Sequence, residues 1–149
     1  LEHYSLGYHF KTDVVRISID APLLSLEEPR FEAFSILQAI ILAVSRVLDI
    51  EYGEVSGCLQ YRAGNSVNFS YILYDKTPGG AGYVKRLNDE VILNKVLETA
   101  YRIAKSCHCG GEEGDSSCYS CLRTYQNQKY HDNIKRKYVI DYLGNVLGK

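Results

Sequence analysis

The sequence predicts an α/β or α+β domain: a small mixed β-sheet of three or more strands, helices packed on it, and a C-terminal four-cysteine helical module suited to zinc. Three observations carry this. Short stretches alternate apolar and polar residues as half-buried strands do. A nearly unbroken apolar run at helical spacing reads as a buried central helix. Four of the five cysteines fall within residues 107–121.

Length and composition fit one compact domain, with 46% hydrophobic and 23% charged residues, and exclude a disordered tail. Residues 12–106 read as an α/β body and 107–149 as the cysteine module with a final helix. Met is absent and Leu1 opens the chain in mid-pattern, so an excised domain of a larger protein is expected. The net charge of -1 hides an asymmetry. From Leu122 onward Arg123, Lys129, Lys135, Arg136, Lys137 and Lys149 outnumber Asp132 and Asp141. A basic end on an acidic body favours an anionic partner there, set against the ordinary reading of a solvated helix face.

In chain order, Thr12–Asp20 alternates Val15, Ile17 and Ile19 against Val14, Arg16 and Ser18, as a strand does. Phe31–Asp49 places Phe34, Leu37, Ile41, Val44 and Leu48 at helical spacing, with a narrow polar stripe of Glu32, Ser35, Gln38, Ser45 and Asp49. Gln38, Ser45 and Arg46 interrupt it too early for a membrane span, which needs roughly 20 apolar residues. Glu54–Tyr61 and Val67–Tyr74 read as a hairpin turning at Arg62–Asn65, with Phe69, Tyr71 and Leu73 on one face. The second strand runs into a turn with Gly79, Gly80 and Gly82, ahead of a helical pattern. This turn either presents N–H groups to a phosphate or lets a helix pack close to the sheet. Asn88–Ser106 is amphipathic through Ile92, Val96, Ala100, Ile103 and Ala104, and a final helix over about Asp132–Leu147 is expected to expose Lys135, Arg136 and Lys137.

Cys107 and Cys109 form C-x-C, and Cys118 and Cys121 form C-x-x-C. Thiolate pairs on two turns can converge tetrahedrally on one ion, and zinc is the expected occupant, as one structural ion. Disulfides and an iron–sulfur cluster are the alternatives. Cys58 lies far away in an alternating stretch where a small buried hydrophobe is expected, a chain this long needs no staples, and C-x-C is unlike ferredoxin spacings. His108 and His131 are further ligand candidates.

Tyr74–Gly82, the four cysteines, then Cys121–Gln128 and His131 together resemble the DUF1998 family, the zinc-binding C-terminal domain of MrfA-type DNA-repair helicases. The stretch is also similar to the related domain in the DrmB component of the DISARM phage-defence system. The likeness runs from about Thr12 to the C-terminus, and no Walker A loop or DEAD/DEAH box accompanies it. It implies an accessory domain, not an enzyme by itself, in an ATP-dependent DNA helicase or defence protein. Cys107, Cys109, Cys118 and Cys121 would bind zinc, and a parent helicase core or associated subunit would be the partner; separately, reduced thiols fit a cytoplasmic setting. No small-molecule substrate is identifiable. DNA is the second partner expected, met by Arg123, Tyr125, Lys129, Lys135, Arg136 and Lys137, with Tyr130 interleaved. The rival from another class is a metal-dependent nuclease-like domain cleaving phosphoesters, with Asp75 joined by Asp13, Asp20 or Glu54 around a divalent cation.

Overall fold

The computed structural model describes residues 11–149; Leu1 and the rest of the first ten residues of the expected domain lie outside them. Strand β1 (Val14–Ile17), helix α1 (Pro29–Leu48), the hairpin β2 (Val55–Arg62) and β3 (Asn68–Asp75), helix α2 (Glu90–Ser106) and helix α3 (Arg136–Leu147) follow in order. Two 3₁₀ helices, Val84–Asn88 and Gln128–Asn133, precede α2 and α3. The fold is α+β.

The expected small sheet is present with three strands in the order β1-β3-β2. Both pairings are antiparallel rather than mixed. The five residues between β2 and β3 permit only a tight reversal, and β1 joins the open edge of β3. One face, with Ile17, Val55, Tyr71 and Leu73 buried, packs on the helices. Gly57 lets that happen: a Cβ there would stand 2.6 Å from the Ile72 carbonyl oxygen and 3.1 Å from Leu37 of α1.

Cys58, expected to be buried, is exposed. The period-2 alternation that turns Gly57 and Leu59 toward the helix layer turns Cys58 away from it.

Helix α1 is the centre of the domain, meeting β2, β3, α2 and α3. By length and composition it could cross a membrane, but 67% of its apolar window is buried inside this domain. Its polar stripe works inward. Glu32, 2% exposed, accepts from the N–H groups of Leu24 and Ser25. Ser35 receives the Lys135 N–H at 3.1 Å, and Gln38 accepts from the Asn127 side-chain amide at 2.9 Å. These bonds fix the loop before α1 and the two segments that precede α3.

The helix predicted from Asp132 begins only at Arg136. Ile134 and Lys135 are extended, which buries Ile134 and aims the Lys135 N–H at Ser35. Gln128–Asn133 makes a separate 3₁₀ turn.

The glycine-rich turn is organised by Asp75, which is fully buried at the end of β3. One carboxylate oxygen accepts from Ala81 N–H at 2.9 Å and Tyr83 N–H at 3.2 Å; the other accepts from Val84 N–H at 3.0 Å. A buried carboxylate with three backbone donors is a loop anchor. Asp75→Ala would leave those donors unpaired, a loss on the order of 3 kcal/mol or more. Urea unfolding of the zinc-loaded chain checks this, and an unshifted midpoint would contradict the anchoring role.

Candidate metal centre

Helix α2 delivers Cys107 as its C-terminal cap in an extended conformation, which redirects the chain into a first knuckle. Gly110 turns it with a φ of 74°, and a Cβ there would lie 2.9 Å from Ser116 Cβ, so the reversal depends on glycine. The second knuckle closes on itself: Cys121 N–H and Arg123 N–H both donate to the Cys118 carbonyl, at 3.1 and 3.0 Å.

The two knuckles bring the four sulfurs within 4.8 Å of one another. Cys107 and Cys118 Sγ are 3.5 Å apart, Cys109 and Cys121 Sγ 3.7 Å, and Cys118 and Cys121 Sγ 3.9 Å. A tetrahedron of sulfurs at the usual Zn–S length has edges of about 3.8 Å, whereas a disulfide needs about 2.05 Å. The donor set fits a single ion, and the space between the sulfurs is too small for a cluster of iron and sulfide. As free thiols they differ. Burial pushes Cys121 and Cys109 up, while at Cys118 burial is outweighed by hydrogen bonds with Ser120 N–H and the neighbouring thiols, bringing it to about 7.

Around the sulfurs lies a shell that the cysteine spacing did not reveal. Arg136, predicted as an exposed DNA contact, is 3% exposed. Its Nη1 donates to the Ala104 carbonyl in the last turn of α2 at 2.9 Å, and Nε donates to the Cys109 carbonyl at 2.9 Å. Nη2 donates to Cys109 and Gly111. Among the described residues no carboxylate pairs with this cation. It is drawn inward because carbonyls from α2 and from the knuckle converge there, and its own N–H donates to the Ser116 carbonyl at 2.8 Å.

On the far side Asn127, also buried, links the second knuckle to the core. Its side-chain amide donates to Gln38 of α1 and to the Leu122 carbonyl, both at 2.9 Å, and its Oδ1 accepts from Thr124 N–H. His131 bonds the Thr124 carbonyl through Nε2, edge-on to Tyr119. Neither His131 nor His108 joins the sulfur cluster.

A family model described as the MrfA Zn-binding domain matches residues 36–122, more than half of the chain and all four cysteines. The chain belongs to the MrfA zinc-binding domain family. It is 29% identical over 146 residues to the Druantia protein DruE of Escherichia coli (strain UMEA 4076-1), an alignment covering 89% of this chain and 8% of that protein. In fold it is similar to the DUF1998 helicase MrfA, solved bound to DNA, with a TM-score of 0.50 and 23% identity over 78% of this chain and 14% of that one. The chain thus spans a small fraction of either relative's length.

In this MrfA-type zinc-binding domain, the residues expected to meet DNA differ in exposure. Arg136 is internal. Lys135 pairs with Asp115 at 2.9 Å and lies 5.8 Å from the centre of the Tyr138 ring. Arg123 Nε donates to Ser117 Oγ at 2.9 Å. Tyr125, Lys129 and Lys137 remain exposed. The nuclease-like alternative loses its central residue, since both oxygens of Asp75 are occupied by the turn and Asp13 pairs with Lys85 at 3.4 Å.

Arg136→Met would leave the Ala104, Cys109 and Gly111 carbonyls without a donor. The expected loss is about 3–5 kcal/mol of stability. Zinc affinity, measured by competition with a chromophoric chelator, is expected to fall about 10- to 100-fold, as when a group supporting metal ligands is removed. Unchanged affinity would confine Arg136 to a packing role.

Proposed function

We propose that this domain is a zinc-stabilised accessory module of an ATP-dependent DNA helicase or helicase-type defence protein. In this reading Cys107, Cys109, Cys118 and Cys121 hold one structural zinc, and the domain contributes architecture rather than catalysis. The observation that carries the proposal is the set of S···S separations, each near the edge of a single-ion tetrahedron.

Zinc bound by four thiolates has no open position for water or substrate, so it supplies cross-linking and electrostatics, not Lewis-acid chemistry. The chain's own residues do the rest. Cys107 ends α2, while Ser116 and Gly114 offer their carbonyls to the first N–H groups of α3. Fixing the sulfurs therefore fixes the angle between α2 and α3. Apparent zinc-binding free energies of about 10–16 kcal/mol near neutral pH rival the whole stability of an ordinary domain, about 5–15 kcal/mol. A metal holding this junction would decide whether the C-terminal third folds. A reducing, cytoplasmic setting keeps such thiols available.

The helicase reading draws on the family membership and on the fold shared with MrfA. In it the parent helicase core or an associated subunit is the partner, and DNA is the polymer that the assembly handles.

Elemental mass spectrometry of the purified chain, beside the Cys118→Ser/Cys121→Ser variant, tests the zinc reading. One zinc per chain, lost together with α3 helicity in the variant, is the expected result. Iron with visible absorption, or no metal with full stability, would overturn it.

A further inference from the structure

The groove of about 1280 Å³ between the last turn of α1 and the outer face of α2 borders the metal centre at Cys107, but the rest of its lining has no role above. Four cations line it: Arg46 from α1, Lys95 and Arg102 from α2, and Lys149 from the C-terminus. Glu98 is the one carboxylate among its lining residues, and it is already paired with Lys149 at 3.2 Å. Arg46, Lys95 and Arg102 are exposed and, among the described residues, have no carboxylate partner. In a chain whose net charge is -1 this concentration of positive charge is local.

We propose that this groove is a docking track for the phosphate backbone of a nucleic-acid strand. The inference rests on the helicase-accessory reading and moves the contact away from residues 123–137. Charge complementarity selects the occupant. Lys95 and Arg102, seven residues apart on one face of α2, stand about 10 Å apart along the axis. A flexible single strand can bring neighbouring phosphates to both cations. Between and beside them Asn94 and Thr99 offer an amide and a hydroxyl, which along with Arg and Lys are the side-chain types that contact phosphates. No Phe, Tyr or Trp lines the groove, and its one ring is the His108 imidazole at the Cys107 end, so binding is chiefly to the backbone, without sequence preference. Four thiolates around a divalent ion would add negative charge at the Cys107 end, where Arg136, bonded to the Cys109 and Ala104 carbonyls, would offset part of it.

The test uses the zinc-loaded 149-residue chain and fluorescein-labelled oligothymidylate, followed by anisotropy at several salt concentrations. Wild type is expected to bind, with a log–log salt slope of about -2 for three contacts to a single strand. R46E/K95E/R102E is expected to bind at least about tenfold more weakly, whereas K129E/K137E binds like wild type. The single variant K95E, a change on an exposed side chain, should show an intermediate loss and guards against misfolding of the triple variant. Absence of wild-type binding would overturn the proposal, as would wild-type affinity in the triple variant or loss of binding in K129E/K137E instead. Displacement of the oligonucleotide by polyglutamate at equal charge concentration would point to an acidic protein surface and also overturn it. Zinc content measured on the same samples separates the two readings. One zinc without binding refutes the groove alone, and a chain without zinc refutes the accessory-module reading itself.

Discussion

The guanidinium of Arg136 stands where the carbonyls closing α2, the carbonyls of the first knuckle and the start of α3 meet. A cation buried to this degree is tolerated only when its donors are used and some negative charge compensates it. Carbonyl dipoles at the C-terminal end of α2 supply part of that charge, and four thiolates around a divalent ion would supply more, since together they carry a formal surplus of two negative charges. Arginine and metal site are therefore interdependent: the sulfurs give Arg136 a reason to be inside, and Arg136 holds the Cys109 turn in the shape that presents its sulfur.

From this junction the order spreads inward along side-chain amides and hydroxyls. Asn127 ties the second knuckle to Gln38, and Ser35 takes the Lys135 N–H just before α3 begins. Both receiving groups lie on α1, whose apolar faces pack the sheet on one side and α2 and α3 on the other. Metal module and α+β body thus share one core, in which Leu122, Ile134, Val139, Tyr142 and Leu143 are buried beside Ile36, Ile40 and Val44. The outer face of α2, with Lys95 and Arg102 exposed, stays outside this core.

Features that the sequence displays in its own pattern were legible. The helix at residues 29–48 showed in its 3.6-residue period, the hairpin in alternation around a polar turn, and the metal site in cysteine spacing alone. Features that depend on main-chain partners were not. Lys135, Arg136 and Lys137 read as one solvated basic run, yet the middle residue turns inward because its acceptors are carbonyls, which no side-chain pattern records. The same blindness left a catalytic role for Asp75 open as the rival to a cap or turn acid, although its partners are three backbone N–H groups of the glycine-rich turn. The polar stripe of α1 was seen, but not its inward direction, which depends on segments about 90 to 100 residues away in the chain. A usable signal did exist: a polar run of Thr124, Asn127 and His131 directly after a metal-binding cysteine fits hydrogen-bonded support of the ligands.

The most direct test of this account is hydrogen exchange, read by mass spectrometry, on the zinc-loaded chain and on the same chain after chelation. Metal removal is expected to strip protection from α3 and the last turns of α2, and to lower it in α1 around Gln38, while the β2–β3 hairpin keeps most of its protection. Unchanged protection in α3 after complete loss of metal would contradict the claim that the four-cysteine centre holds this junction together.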